Sequence, residues 1–250
     1  MNRLEELHQR YQTQAAWTKT IRTRLLDLVQ INSNDRLLEV GVGTGAILST
    51  TILETECHGF GLDIDLQVTQ FAAGLIPDAA FTTADGTGLP FVSEAFKIVY
   101  CHFLLLWIAD PELVLREMSR VTKQGGSVIV FAEPDYGGRI FYPQHMDKIG
   151  LLQTKALQQQ GANPFIGREL RTLLNRTALA DVEIGILGGE WHDDMKEEHW
   201  DSEWMMLASD LAGTLSPEEI IRAKELDRIA WKERKRLVYV PTFYGWGKKR

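Results

Sequence analysis

Apolar and polar positions along this chain follow two periods, and the points where one gives way to the other outline the elements. Over residues 3–31, Leu4, Leu7, Tyr11, Trp17, Ile21, Leu25, Leu28 and Val29 recur at steps of three and four, the spacing of one or two amphipathic helices. From residue 36 onward, short apolar runs alternate with helical stretches. Strands are predicted at 36–41, 57–63, 79–83, 96–101 and 126–133, with helices at about 45–54, 66–75 and 111–122. Asp110 and Pro111 signal the start of the last of these helices, and Gly125-Gly126 its end and the turn into the fifth strand. Such alternation implies parallel strands with helices on both faces of one sheet. After Glu133 the pattern breaks. A turn at Pro134-Asp135-Tyr136-Gly137-Gly138 leads to predicted helices at 144–160 and 167–178 and a strand at 182–190. A charged, tryptophan-rich helical insert follows at 194–235, and a last strand runs from Leu237 to about Trp246.

Within this pattern, Leu37 to Gly45 reads as a buried strand ending in an acid and opening into a glycine turn, Gly41-Val42-Gly43-Thr44-Gly45, with a helix beginning at Ala46. Strand, glycine turn and helix form the layout of a nucleotide-cradling crossover. Glycine permits positive φ and lets a ligand approach the backbone more closely than a Cβ allows. The new helix adds unpaired N–H groups and a positive dipole end. Gly41, Gly43 and Ala46 also satisfy the looser dinucleotide spacing, so the turn alone leaves nicotinamide and other adenosine cofactors open. Two further strands end in acids, at Asp63 and Asp85. A carboxylate at the end of the second strand suits the two hydroxyls of a ribose. Asp85, with the Gly86 N–H, suits an adenine edge. Three successive strand-end acids, Glu39, Asp63 and Asp85, are more specific than any one glycine turn.

At this point the chain resembles the class I S-adenosylmethionine-dependent methyltransferases, in their small-molecule, ubiquinone/menaquinone-type branch. The resemblance rests on LLEVGVGTGAI at 37–47, GLDID at 61–65, ADGTGLPF at 84–91, EAFKIVY at 94–100 and WIADPELVLREMSRVTKQGGSVIV at 107–130. It is dense over roughly 35–135 and thin elsewhere, and Lys97 stands where relatives often carry Asp. It implies an α/β fold, a Rossmann-like seven-stranded sheet with helices on both faces and the last strand antiparallel, and adenosylmethionine as methyl donor. It also implies that Gly41, Gly43 and Gly45 line the methionine and sulfonium end, that Asp63 takes the ribose hydroxyls, that Ile64 packs on adenine, and that Asp85 and Gly86 read the adenine edge. Trp17, Glu39, Val42, Thr87, His102 and Phe103 complete the expected cofactor site.

Composition narrows the setting. The 250 residues, 44% hydrophobic and 24% charged, suit a soluble α/β domain with elaborations. The net charge of −7 argues against a nucleic-acid substrate. The longest apolar run, Ile98 to Ala109, contains His102 and is too short to span a bilayer, and the N-terminus has no signal-peptide core. The two cysteines, Cys57 and Cys101, are expected to be reduced core residues, which suits the cytoplasm. The chain is read as one domain over 1–250: a helical segment at 1–34, a cofactor-binding core at 35–135, and a cap from 136–180 and 194–235. Oligomeric state is not legible.

Ligands of open α/β sheets bind beyond the carboxyl ends of the strands. Candidates for acceptor chemistry there are His102, Glu133, Tyr136 and His192. His102 is either a proton acceptor or a pocket wall. Glu133 and Asp135 orient a polar substrate, unless Asp135 only makes its turn. Trp191, Trp200 and Trp204 either wall the substrate or pack the cap. Trp191-His192-Asp193-Asp194 with His199 fits no standard zinc spacing, so no metal is expected. The function expected is methyl transfer from adenosylmethionine to a small-molecule acceptor by in-line displacement. Two rivals stand beside it: an adenosylmethionine-binding sensor or partner subunit without activity, and an NAD(P)-dependent reductase. The reductase needs a helical Tyr-x-x-x-Lys, whereas the pair here, Tyr244 and Lys248, reads as strand and tail.

Overall fold

The structure, a computed structural model, describes residues 3–188 and 196–250. Two helices come first, α1 (Arg3–Trp17) and α2 (Lys19–Val29). Then follow β1 (Arg36–Val40), α3 (Ala46–Thr55), β2 (His58–Asp63), α4 (Leu66–Leu75), β3 (Ala80–Thr83), β4 (Phe96–Cys101), α5 (Pro111–Val121) and β5 (Thr122–Pro134). The remainder is β6 (Ile140–Tyr142), α6 (His145–Gln159), α7 (Ile166–Asn175), β7 (Leu179–Leu187), α8 (Glu197–Asp210), α9 (Pro217–Lys232), β8 (Leu237–Tyr239) and β9 (Thr242–Lys249). Seven strands form one sheet in the order β3-β2-β1-β4-β5-β9-β7, and β9 runs antiparallel to both neighbours. This is the α/β architecture expected, with the antiparallel strand last in sequence and inserted between β5 and β7.

The central strands β1 and β4 are covered on both faces, which explains their continuous apolar runs. On one face Val114, Leu115 and Met118 of α5 and Leu170 and Leu174 of α7 pack against Leu38, Val99 and Val128. On the other, Leu25 and Leu26 of α2 and Leu48 of α3 pack against Leu37, Ile98 and Ile129. Cys57 and Cys101 are buried free thiols within this core. The start of α5 follows its sequence signals: Asp110 accepts from the Leu113 N–H at 3.0 Å, and Pro111 takes the first turn, where no donor is needed. Its end departs from them. The helix stops at Val121, ahead of the glycines, and Gly125 (φ +68°) sits within β5 where the register with β4 shifts. There glycine absorbs an irregular strand rather than capping a helix.

Of the segments expected to form a cap, α6, α8 and α9 associate, whereas α7, expected with them, packs on the sheet. Met146 of α6, Trp200 and Trp204 of α8 and Ala223 of α9 make a separate apolar cluster. At its centre the Asp227 carboxylate, wholly buried, accepts from the indole N–H groups of Trp200 (2.8 Å) and Trp204 (2.6 Å) and from Arg236 Nε (2.8 Å). Trp231 stacks on Trp200 at 5.7 Å. A two-stranded antiparallel pair, β6 with β8, ties the cap to the turn that leads back into the sheet. Sequence periodicity did not reveal this pair, because three-residue strands carry too little alternation to register. Among the described residues no helix is long and apolar enough to cross a membrane.

Candidate functional site

The carboxyl ends of β1, β2 and β4 open into a cavity of about 710 Å³, within the range of small-molecule sites. Its floor is the turn after β1. Gly41 and Gly43 hold φ of +75° and +52°, a region costly for residues with a Cβ. A Cβ on Gly43 would lie 2.8 Å from Tyr11 Cε2, because the Tyr11 ring of α1 lies directly over the turn. The Gly43 N–H donates to Asp63 Oδ2 at 2.9 Å, and the Asp65 N–H donates to Asp63 Oδ1 at 3.1 Å. Those two bonds fix the half-buried Asp63 carboxylate at the cavity edge. The floor is thus a ledge of backbone with a carboxylate at one end, as an adenosine-bearing ligand requires.

Of the expected cofactor residues, Trp17, Glu39, Gly41, Val42, Gly43, Asp63, His102 and Phe103 line this cavity. Gly45, Ile64, Asp85, Gly86 and Thr87 do not. Gly45 (φ +79°) instead caps α3, where a Cβ would meet Ile76. Asp85 is exposed, and its Oδ1 accepts from both the Thr87 N–H and the Thr87 hydroxyl at 2.8 Å, which holds its carboxyl below the usual range. The physical reason is that β3 is the sheet's edge strand, so its end faces the rim and not the enclosed space. Ile64 is 71% exposed on that same rim.

Glu39 is buried and accepts from the Tyr100 hydroxyl at 3.0 Å, and burial pushes its carboxyl up to about 8. His102 faces Thr18 of the N-terminal segment, with Nε2 2.8 Å from the Thr18 hydroxyl oxygen. That oxygen also accepts from Arg22 Nη1 at 2.6 Å and donates to the Ala15 carbonyl at 3.3 Å, so the imidazole is held in a network with α1 and α2. Enclosure, with the Arg22 charge nearby, pushes His102 down to about 3. A neutral imidazole held this way is a wall and a hydrogen-bond partner, and a poor proton acceptor.

Glu133 requires a correction. Expected at the acceptor, it is wholly buried outside the cavity wall. Its oxygens accept from the backbone N–H groups of Leu104 (3.0 Å), Leu105 (2.7 Å) and Leu106 (3.1 Å), so it pins the short 3-10 turn after β4. Burial pushes its carboxyl up to about 8 against the pull of those donors. Its work is to hold the segment that carries Phe103 and Leu104. Asp135 does make its turn: it accepts from the Gly137 N–H at 3.0 Å and forms a two-pronged ion pair with Arg168 at 2.6 and 2.7 Å. Tyr136 lines the cavity as expected, beneath the Arg139 guanidinium at 5.1 Å, and burial with the nearby Asp210 charge pushes its phenol well above the usual range. His192, with Trp191, lies outside the described residues. Trp204 serves both readings, packing the cap and lining the cavity, while Trp200 only packs.

Several lining residues carried no sequence signal of function. Arg10 and Gln14 lie on the polar side of α1, where they read as solvated. Gln153 of α6, Asp210 at the end of α8, and Val240 and Thr242 before and in β9 come together only through the cap's packing. Tyr11 was visible as part of an apolar stripe, but its stripe gives no hint that it covers a glycine turn. Tyr244 and Lys248 lie in β9 and not on a helix, so the reductase arrangement is absent.

The comparisons with known proteins agree with this geometry. Residues 38–130 match the family described as a methyltransferase domain. The chain is 28% identical over 167 residues to the demethylmenaquinone methyltransferase of Renibacterium salmoninarum, covering 65% of this chain and 70% of that one. It is 25% identical over 179 residues to the demethylmenaquinone methyltransferase of Mycolicibacterium paratuberculosis, covering 70% and 74%. In fold it is similar to geranyl diphosphate C-methyltransferase from Streptomyces coelicolor A3(2), solved with S-adenosyl-L-homocysteine, with a TM-score of 0.59, 13% identity, and coverage of 92% of this chain and 76% of that one. With a methyltransferase domain over residues 38–130 and relatives that are methyltransferases, the chain is an S-adenosylmethionine-dependent methyltransferase, similar to the quinone-type enzymes named above.

Proposed function

We propose that the cavity holds donor and acceptor side by side, and that the protein methylates a small hydroxyaromatic acceptor of the quinone type in the cytoplasm. The observation that carries this is the continuity of the space: one cavity runs from Gly41, Gly43 and Asp63 on the sheet to Tyr136, Trp204 and Val240 at the cap. In this reading Gly41, Val42 and Gly43 hold the methionine end, under Tyr11. Asp63 takes the ribose hydroxyls, and the adenine extends over the rim to Ile64, Asp85, Gly86 and Thr87. Covering the exposed Ile64 with a ring contributes the apolar burial expected at an adenine edge. Bound adenosylmethionine supplies a methyl carbon that is already electrophilic through its sulfonium. What remains for the chain is to orient the acceptor, exclude water and take a proton. Apolar residues Phe141, Met146, Leu157 and Leu207 wall the acceptor side and suit a flat, largely apolar molecule. A quinone-type acceptor is supported by the names of the two relatives, and a reducing compartment by two buried free thiols. The chain is read as one catalytic unit capped by α6, α8 and α9, with α7 part of the sheet's covering layer.

Calorimetry with adenosylmethionine, adenosylhomocysteine and NAD tests the donor half. Binding of the first two and not the third is expected. Tight binding of NAD with none of adenosylmethionine contradicts the reading.

A further inference from the structure

Methyl transfer to a hydroxyl compound needs a group to receive the proton, and His102 and Glu133 fill that need poorly. His102 is held neutral against Thr18, and Glu133 is spent on the turn after β4. Among the described residues the carboxylates that face the cavity are Glu39, Asp63, Glu203 and Asp210. Glu39 lies under Tyr100 and is neutral near pH 7. Asp63 is fixed by two backbone donors at the ribose end. Glu203 is paired with Arg236 at 2.6 Å.

Asp210 differs from all three. It is the last residue of α8, where the helix dipole disfavours an anion and so favours taking up a proton. It is buried at 7% exposure, yet among the described residues its side chain has two polar partners: Gln153 Nε2 donates to Oδ2 at 2.8 Å, and Arg10 Nη2 lies 3.4 Å from Oδ1. Tyr136 is near enough that the Asp210 charge raises its phenol. The buried Arg10 Nε–H has no hydrogen-bond partner among the described residues, a donor available to a ligand oxygen on the same wall.

We propose that Asp210 accepts the acceptor's proton, with Arg10 and Gln153 as its positioning residues, and that the acceptor presents a phenol-type hydroxyl to this trio. This rests on the hydroxyaromatic reading above. The O–H proton passes to the Asp210 carboxylate. The electron pair left behind forms the new bond to the methyl carbon, either from oxygen or through the ring from the adjacent carbon. The sulfur–methyl bond breaks with its pair remaining on sulfur. If the ring carbon is methylated, Asp210 returns its proton to the oxygen and the freed carboxylate takes the proton from the ring carbon, which restores the aromatic ring. The groups facing Asp210 are Arg10 from α1, Gln153 from α6 and Tyr136 from the turn after β5, and burial raises the carboxyl from its ordinary value. A rate profile against pH reads its ionisation.

The test uses the full chain with adenosylmethionine and a hydroxyaromatic panel headed by 1,4-naphthalenediol kept reduced. Asp210→Asn is expected to slow turnover by about 100-fold or more, the scale of a lost general base, and to abolish the rise of rate with pH. Adenosylmethionine affinity should stay within about twofold, the scatter of an untouched site, since no donor-side contact is lost. Asp210→Glu should restore part of the rate and the pH limb, which a purely structural role does not explain. Asp210→Asn that retains its pH limb and most of its rate overturns the proposal. If the parent methylates none of the panel, binding of the same compounds to the adenosylhomocysteine-loaded protein decides. Binding that is independent of Asp210, or no binding of any hydroxyaromatic, overturns the proposal and leaves the donor site standing. Failure to bind adenosylhomocysteine at all sinks the donor reading instead.

Discussion

The two halves of the cavity are made of different material. The donor half is mostly backbone: a run of residues from Val40 to Gly45 bends through positive φ, and one acid, Asp63, is clamped by N–H groups. The acceptor half is mostly side chains, drawn from α1, the turn after β5, α6, α8 and the strands near the C-terminus. A backbone ledge presents the same surface whatever the neighbouring side chains are, so it suits an invariant cofactor. A wall assembled from separate helices changes shape with any substitution in its packing, so it suits an acceptor that differs from one enzyme to the next. The halves should therefore fail separately.

The largest separation is expected at Asp227, which receives two indoles and Arg236 in the cap core. Asp227→Ala leaves two buried indole N–H groups without their acceptor and removes one of the carboxylates on Arg236, and should cost about 3–5 kcal/mol of stability. Denaturant unfolding measures it, and adenosylmethionine affinity of the folded fraction should hold. An equal loss of donor affinity would mean the halves are coupled. The converse change, Asp63→Ala, should weaken adenosylmethionine binding by about 1.5–3 kcal/mol, the scale of hydrogen bonds to a charged group. Calorimetry with a melting curve on the same sample reads it. Donor affinity like the parent's, with normal folding, removes Asp63 from the ribose.

How far each half was legible in sequence follows from the same contrast. The donor half is local. Strand, glycines and strand-end acids appear as consecutive letters, and the structure brings Glu39, Gly41, Gly43 and Asp63 together as the pattern required. Even there, whether an acid faces the cavity or the rim depends on strand order. That is why Asp85 and Ile64 fall outside the enclosed wall. The acceptor half is non-local. Asp210 is one more acid in a charged helical insert until α8 docks and sets it beside Gln153, 57 positions earlier. Glu133 misled for the opposite reason: a strand-end acid is the family's signature of ligand contact, yet here three backbone donors consume it.

A smaller effect joins the N-terminal segment to the donor half through His102. Its folded value of about 3 lies below the ordinary 6.5, so the neutral form is the one the fold accepts. The stability it contributes is complete above pH 6.5 and is lost as pH falls toward 3. In that window the slope should approach about 1.4 kcal/mol per pH unit from this group. His102→Gln, compared with the parent by urea titration across pH 4–7, should flatten the dependence. Equal slopes would place His102 in solvent. The smallest effect is expected at Tyr136→Phe, which deletes only a hydroxyl on the acceptor wall. Turnover should fall by the equivalent of roughly 0.5–1.5 kcal/mol with donor affinity unchanged. A lowered melting temperature with unchanged turnover would reduce Tyr136 to packing.

The division of labour is tested most directly by the position of adenosylhomocysteine in a crystal of the complex. The expected result is a ribose within hydrogen-bond distance of Asp63, the homocysteine chain on Gly41–Gly43 beneath Tyr11, and the sulfur turned toward Tyr136 and Asp210. A ligand seated against the cap helices, or a ribose away from Asp63, would contradict it.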